Sequence, residues 1–272
     1  MRPRPTLNEA EPPFGLVIPA KSGNPGQQRR SGPQDPRLRG VTIHHVRTGF
    51  ILSHTRKGEC MKLYTYYRSQ ASFRVRIALN LKGIAREDSF LHLEKGDQFA
   101  AEYRAINPQM VVPTLIDGEV KLFQSLAILE YVDEKYPQPP LLPADPVARA
   151  WVRGIALINV ADSHPLIVPR VRHYLTDVLR LSDEQRLAWI RHWLGAGLQA
   201  IEALLAEHPA SGRFCHDDRP TVADICLVTQ VTPAKNFDCP LDPYPRVMHV
   251  YDSCMAISAF ADAHPSRQPD SE

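Results

Sequence analysis

Long hydrophobic runs, paired cysteines and nucleotide-binding glycine motifs are all missing from this chain of 272 residues. Because no apolar run approaches the ~18 residues that a spanning helix needs, no membrane segment and no membrane partner are expected. The five cysteines form no CxxC pair and no zinc-ligand spacing with histidine, so neither a disulfide framework nor a metal site is expected. Such cysteine usage is typical of a reducing compartment, and the predicted location is the cytoplasm.

An excess of positive charge is absent outside the first sixty residues. Residues 1–60 hold ten Lys/Arg and four Asp/Glu, net +6, whereas the other 212 residues hold 22 and 26, net −4. The larger part of the chain therefore lacks the basic surface that nucleic-acid binding requires, and no nucleic-acid partner is expected. With 43% hydrophobic and 23% charged residues, the composition is that of a globular protein.

Residues 1–60 differ in composition from the rest. Eight of the 25 prolines fall here and apolar residues are few, which predicts a disordered N-terminal extension. A signal peptide is not expected, because no apolar stretch of about 7–15 residues follows the early arginines.

A mis-assigned start is the interpretation that we favour for this extension. The tripeptide Lys57-Gly58-Glu59 can be encoded by purines alone and precedes Met61 at the distance of a bacterial ribosome-binding site. Met61 is then the natural start, and the alternative is a genuine basic tail. N-terminal sequencing of the protein from its native cell separates the two, because the late start predicts no peptide from residues 1–60.

Residues 61–137 are predicted to form a small α/β domain. Strands are expected at 63–67 and 89–93, and helices at 72–82 and 99–106. Asp117-Gly118 between two short apolar runs predicts a hairpin. Ser125 is the expected N-cap of a helix at 126–136. The order β-α-β-α-β-β-α is that of a thioredoxin-like domain.

A proline-rich linker at 138–146 separates this domain from an all-α domain at 147–272. Helices are predicted at 148–162, 166–179, 183–207, 222–235 and 247–263. Thr221 and Asp224 have the spacing of a capping box at the start of the fourth of these helices, a purely structural role.

This succession of domains resembles the glutathione transferase fold, and the motifs resemble its zeta class. That class includes maleylacetoacetate isomerase and the glutathione-dependent maleylpyruvate isomerases. The resemblance runs from Met61 to about Asp270 and rests on Arg68-Ser69-x-x-Ser72-x-Arg74-Val75-Arg76-Ile77-Ala78-Leu79, Asn107-Pro108-Gln109, Val112-Pro113-Thr114-Leu115, Gln124-Ser125-x-Ala127-Ile128, Leu141-Leu142-Pro143, Thr221-x-Ala223-Asp224, Asp242-Pro243-Tyr244-Pro245 and His264-Pro265-x-x-Gln268-Pro269-Asp270.

The resemblance implies glutathione as the cofactor. Ser69, at the start of the first helix, matches the hydroxyl that holds the thiolate in the family, and Ser72 or backbone N–H groups are the alternatives. The family often has Ser-Cys or Gly-Thr where this chain has Gln70-Ala71. The residues implied to bind glutathione are Ser69, Gln70, Ala71, Gln98, Val112 with a cis Pro113, Gln124, Ser125 and His164.

A cis-configured diacid is the implied second substrate, and its carboxylates call for arginine. The candidates for binding the diacid are Arg68, Arg170 and Arg172, together with His164. Arg68 is also implied in catalysis, with Ser69 and Ser72. Arg170 shares a helical face with His164 if the helix continues through Pro169. Some maleylpyruvate isomerases have further arginines, where this chain has Pro169 and Lys235-Asn236, which leaves the choice of diacid open.

The implied activity is cis–trans isomerisation of a maleyl diacid, maleylacetoacetate or maleylpyruvate, to its fumaryl isomer by a homodimer. The glutathione thiolate adds to the double bond, and the resulting single bond rotates. Elimination of the thiolate then gives the trans product and regenerates glutathione. One alternative is a transferase or dehalogenase that conjugates small electrophiles. A second is a non-catalytic interaction module, which the absence of the Ser-Cys pair keeps open.

Overall fold

Residues 60–272 are described by the computed structural model, and the predictions for residues 1–59 lie outside that range. A four-stranded sheet of order β2-β1-β3-β4 comes first. β1 and β2 are parallel, and the other neighbours are antiparallel. The strands and helices of this part are β1 (Met61–Thr65), α1 (Gln70–Leu81), β2 (Arg86–Phe90), α2 (Ala101–Ile106), β3 (Thr114–Asp117), β4 (Val120–Phe123) and α3 (Ser125–Lys135).

The predicted order of elements is confirmed, but two strand positions were wrong. β1 ends at Thr65 instead of residue 67, because the chain turns there and Ser69 N–H donates to the carbonyl of Tyr66. β2 lies three residues earlier than predicted. Its residues are mostly polar, and none of them is fully buried. It could therefore not be recognised from apolar residues. The hairpin prediction is confirmed, with Gly118 at a φ of 60° between β3 and β4.

Helix α1 is the centre of the structure. Every residue from Ser72 to Leu79 is buried, so its apolar side chains pack against the sheet on one side and the later helices on the other. Ser69 is its N-cap, and Ser69 Oγ accepts from Ser72 N at 3.2 Å. The cap places the Ser69 hydroxyl at the positive end of the helix dipole.

The proline-rich segment after α3 is held by one buried lysine. Lys82 Nζ lies 2.6 Å from Asp133 Oδ1 and donates to the carbonyls of Tyr136 and Pro139. The Asp133 carboxylate in turn accepts from the N–H of Leu141. These contacts fix the linker against the α/β part, while the domain boundaries at 137 and 146 stay predictions.

Helices make up the rest of the described chain. None of those within residues 60–272 combines the length and apolar character that crossing a membrane requires. They are α4 (Pro146–Leu157), α5 (Pro169–His173), α6 (Asp183–Glu207), α7 (Val222–Asn236), α8 (Pro245–Met255) and α9 (Ser258–Ala261), with π-helical segments at Ile158–Ser163 and Tyr174–Val178 and a 3₁₀ turn at His164–Leu166.

The helix predicted at 166–179 was wrong, because Pro169 divides it. Pro165 lies within the 3₁₀ turn, and Pro169 begins α5. A residue before proline avoids the helical region, and Val168 is accordingly extended, with φ −65° and ψ 155°. His164 and Arg170 therefore lie in separate turns, and the condition of a continuous helix between them is not met.

The capping box before α7 is confirmed. The Asp224 carboxylate accepts from the N–H and hydroxyl of Thr221 at 2.7 and 2.8 Å, and Thr221 Oγ1 accepts from Ala223 N at 3.2 Å. Thr221→Ala is expected to lower the free energy of unfolding by about 1 kcal/mol. Urea denaturation measures the change. Thr221→Ser is the matched control, because it keeps the hydroxyl; equal stability of all three proteins would contradict a stabilising cap.

Candidate active site

A cleft of about 840 Å³ lies between the α/β part and the helices. Its walls come from the β1–α1 turn, the segment before β3, the start of α3, the broken stretch at 164–172 and the end of α7. It brings together twelve residues predicted from sequence: Arg68, Ser69, Gln70, Ala71, Gln98, Val112, Pro113, Gln124, Ser125, His164, Arg170 and Arg172.

Ser69 lies at the cleft wall where the dipole of α1 is positive. Its Oγ already accepts a bond from Ser72 N, so the hydroxyl proton stays free to donate to a ligand. An anion placed there would meet one O–H donor together with the helix N-terminus. This geometry suits the thiolate-binding role predicted for Ser69.

Ser72 is the predicted catalytic residue that does not line the cleft. Its side chain is fully buried in α1, and its hydroxyl has no hydrogen-bond partner among residues 60–272. The position gives no support to the alternative in which Ser72 holds the thiolate.

The segment before β3 presents backbone groups to the cleft. The Val112–Pro113 bond is cis, which confirms the prediction. Within residues 60–272 no hydrogen bond uses the N–H or C=O of Val112, so both can pair with an extended peptide. Gln98 also lines the cleft and is buried. Its Nε2 donates to the Leu93 carbonyl, and its Oε1 has no partner among residues 60–272.

The start of α3 differs from the prediction in one respect. Gln124, and not Ser125, occupies the cap position, with a φ of 67° that non-glycine residues rarely adopt. Ser125 is the first helical residue, so its hydroxyl is not used as a cap and accepts instead from Arg74 Nε at 2.9 Å. Strained backbone of this kind is concentrated at functional sites.

Arg74 lines the cleft and was not among the site residues predicted from the sequence. It projects from α1 and is 1% exposed. Besides Ser125 it contacts Asn159 Oδ1 at 2.5 Å and His164 Nδ1 at 3.4 Å. The signal was present in Phe73-Arg74-Val75-Arg76-Ile77, because arginine in an apolar helix must be buried, and buried arginine is rare without partners.

His164 faces the cleft from the 3₁₀ turn that follows the first π-helical segment. Burial lowers the pKa of His164 well below its ordinary value, and the positive charges of Arg74 and Arg170 lower it further. The imidazole is therefore neutral at physiological pH and can donate a hydrogen bond without carrying charge.

The charged lining of the cleft is mostly positive. Among the described residues it contains four guanidinium groups and the carboxylates of two glutamates, Glu94 and Glu272. Glu94 lies 3.6 Å from Arg172, and Glu272 pairs with His92 at 2.9 Å. Of the four arginines that line the cleft, Arg68, Arg74 and Arg170 have no carboxylate partner among residues 60–272.

Two tyrosines and one asparagine also line the cleft, and none of them was among the site residues predicted from the sequence. The hydroxyls of Tyr66 and Tyr67 are buried and lack partners among residues 60–272, and burial raises the pKa of Tyr66. Asn236 faces the cleft at the end of α7, whereas Lys235 lies over the ring of Tyr251 at 3.9 Å. The end of α7 therefore contributes a neutral amide and no cation to the cleft.

A thioredoxin-like sheet, a helical part and a cleft with a mostly positive charged lining between them are features of the glutathione transferases. The model of the glutathione S-transferase N-terminal domain matches residues 63–140. A probable maleylacetoacetate isomerase of Vibrio cholerae is 44% identical over 210 residues, 76% of this chain and 97% of that protein. A maleylpyruvate isomerase of a Ralstonia species is 44% identical over 211 residues, 78% of this chain and all of that protein.

Structural similarity agrees with the sequence comparison. The crystal structure of maleylacetoacetate isomerase from Methylobacterium extorquens AM1 with bound malonate and glutathione has a TM-score of 0.76 and 44% identity, covering 78% of this chain and 99% of that one. The chain belongs to the zeta-class glutathione transferase family of maleylacetoacetate and maleylpyruvate isomerases.

Proposed function

We propose that this protein is a glutathione-dependent isomerase that converts maleylacetoacetate or maleylpyruvate to the fumaryl isomer. The observation that carries the proposal is the cleft in which four guanidinium groups meet the N-termini of α1 and α3. Glutathione and a maleyl diacid together bring several negative charges, and such a lining is suited to hold them.

The residues present fit glutathione. The unused N–H and C=O of Val112 match a peptide backbone, and the buried, unpartnered Oε1 of Gln98 can accept from a ligand amide. The first turn of α3, with the Ser125 hydroxyl, suits a carboxylate. Ser69 at the start of α1 suits the sulfur.

Arginines at the other side of the cleft are placed to hold the diacid. Arg170 is exposed to the cleft and has no carboxylate partner among residues 60–272, so its planar fork is free for a substrate carboxylate. Arg68 is exposed at the β1–α1 turn and can reach the same space. Arg172 is partly neutralised by Glu94, which makes it the weaker candidate.

The protein's part in the reaction is to bind, orient and stabilise charge. When bound, glutathione supplies a thiolate nucleophile that adds to the cis double bond and leaves after rotation, so it is not consumed. Ser69 donates its hydroxyl proton toward the sulfur and favours the ionised form. Arg170 fixes the diacid by one carboxylate, and the neutral His164 donates to charge that develops on oxygen.

Direct assay tests the proposal. Maleylacetoacetate and maleylpyruvate are each supplied with and without glutathione, and formation of the fumaryl isomer is followed. We expect isomerisation that requires glutathione. Pro169 and Lys235-Asn236 stand where some maleylpyruvate isomerases have arginines, so the relative rates on the two diacids in this assay decide which one is preferred. No isomerisation of either compound would contradict the proposal.

A conjugating transferase or dehalogenase is the alternative. The observation that favours it is the apolar part of the cleft wall, which includes Phe73, Ile167 and Phe237. A stable glutathione conjugate as the main product of the same assay would support this alternative.

We also propose a homodimer in a reducing cytoplasm. Phe99, Val120 and Phe123 are apolar residues of the α/β part and are 64%, 46% and 59% exposed, which suits contact with a second copy. The five cysteines are all free, which suits a reducing compartment. Light scattering in solution tests the dimer, and a monomeric mass would contradict it.

A further inference from the structure

We propose that Arg74 is a positioning residue that aims two donors, the Ser125 hydroxyl and the Nε2–H of His164, at the ligand in the cleft. The inference rests on the proposed function only in taking that ligand to be glutathione with its diacid. It concerns a residue that does no chemistry itself and acts through its two neighbours.

The first step concerns Ser125. A hydroxyl has one proton to donate and can accept on its lone pairs, whereas arginine can only donate. Because Arg74 Nε donates to Ser125 Oγ at 2.9 Å, an accepting position of the hydroxyl is occupied from inside the protein. The proton of Ser125 is therefore left to point away from Arg74, toward the cleft that Ser125 lines.

The second step concerns the tautomer of His164. Arg74 Nη2 lies 3.4 Å from His164 Nδ1, and since the guanidinium has no acceptor, Nδ1 must accept. A neutral imidazole that accepts at Nδ1 carries its proton on Nε2. The cations that act on this ring are Arg74 from α1 and Arg170 from α5, and both disfavour a second proton. His164 is thereby held as a neutral donor.

The third step concerns the charge of Arg74 itself. No carboxylate within residues 60–272 forms an ion pair with it, and its contacts are the neutral Ser125, Asn159 and His164. Burial lowers the pKa of Arg74, yet arginine stays charged in proteins. A buried cation without a counter-ion is costly unless a ligand supplies negative charge, so the arrangement fits an anionic ligand.

One guanidinium thus couples the α1, α3 and His164 walls of the cleft. Its planar fork reaches three partners in fixed directions, which lysine could not reproduce. Both donors are then oriented before a ligand arrives, and no reorientation is needed when it binds.

Nitrogen NMR of histidine-labelled protein tests the inference, with His164→Asn used to assign the signal. In the unaltered protein the neutral His164 should carry its proton on Nε2, and its pKa should lie below the ordinary value. In Arg74→Met the pKa of His164 should rise toward its ordinary value of ~6.5, because a neighbouring cation is lost. The affinity for S-methylglutathione should fall about 10- to 150-fold, as for losing an oriented bond to a charged group.

Arg76→Lys is the matched control. Arg76 is buried two residues further along the same helix and donates to Thr65 and to backbone carbonyls, without touching His164 or Ser125. This variant should lose stability and leave the His164 signal unchanged. If Arg74→Met does not fold, Arg74→Lys is measured instead, and it should weaken the analogue because it cannot contact both donors at once.

Three results would overturn the inference: a protonated Nδ1 in the unaltered protein, an unchanged His164 signal and affinity in the folded Arg74 variant, or an equal shift of His164 in Arg76→Lys. None of these depends on isomerase turnover. A protein with the expected His164 signal and no isomerase activity would therefore contradict the proposed function and leave the role of Arg74 standing.

Discussion

Replacing Ser69 with alanine is expected to lower turnover about ten- to a thousand-fold, as for the loss of one donor to a charged reacting group. Ser69 Oγ is the side-chain hydroxyl at the N-terminus of α1 that lines the cleft. Without it the thiol is held only by backbone N–H groups and the helix dipole. The pKa of bound glutathione should rise, and ultraviolet thiolate absorbance at a fixed pH should fall.

Stability has to be separated from chemistry in this experiment, because Ser69 is also the N-cap of α1 and its removal costs about 1 kcal/mol of stability. Ser69→Thr keeps both the hydroxyl and the cap, and should retain most of the turnover and the thiolate absorbance. Ser72→Ala is the comparison for the rival residue. If Ser72→Ala lowers turnover more than Ser69→Ala does, Ser69 does not hold the thiolate.

Arg170→Ala is expected to weaken the apparent affinity for the diacid about ten- to 150-fold, because a charge-assisted carboxylate pair contributes ~1.5–3 kcal/mol. An uncharged electrophile such as a chlorinated nitrobenzene has no carboxylate, so conjugation of it should change little. Steady-state kinetics on both substrates with the same variant gives the comparison. The fold should survive, since an exposed Arg→Ala change usually costs under about half a kcal/mol.

Arg219→Ala is the matched control, because Arg219 is also exposed and does not line the cleft. It should leave the kinetics on both substrates unchanged. Equal losses on both substrates in Arg170→Ala would mean that Arg170 serves glutathione or the fold. No loss on either would move the carboxylate to Arg68 or Arg172.

Where local rules decide the structure, the sequence was sufficient. The helix predicted at 183–207 is α6, Asp183–Glu207, because Ser182 and Gln185 form a capping box at its start. The Asp117-Gly118 hairpin and the Thr221 cap depend on similarly short-range chemistry and were predicted too. β2 was misplaced because its residues are mostly polar and its pairing with β1 is a tertiary contact.

The candidate site was predictable only through resemblance, and only in part. Resemblance gave twelve residues that the fold gathers in the cleft, but spacing alone could not have related Ser69 to His164. Arg74 was missed because its meaning depends on three partners that lie 51, 85 and 90 residues away. Pro169 was visible in the sequence, yet the apolar pattern across residues 166–179 predicted a single helix.

We expect glutathione to act as a nucleophile that is regenerated in every cycle, and a thiol balance tests this expectation. The protein is given a large excess of maleylacetoacetate over glutathione, and fumaryl product and free thiol are measured until the reaction ends. If glutathione is recycled, we expect full conversion with the free thiol unchanged at the end. Loss of free thiol in step with substrate, or equal conversion without glutathione, would contradict it.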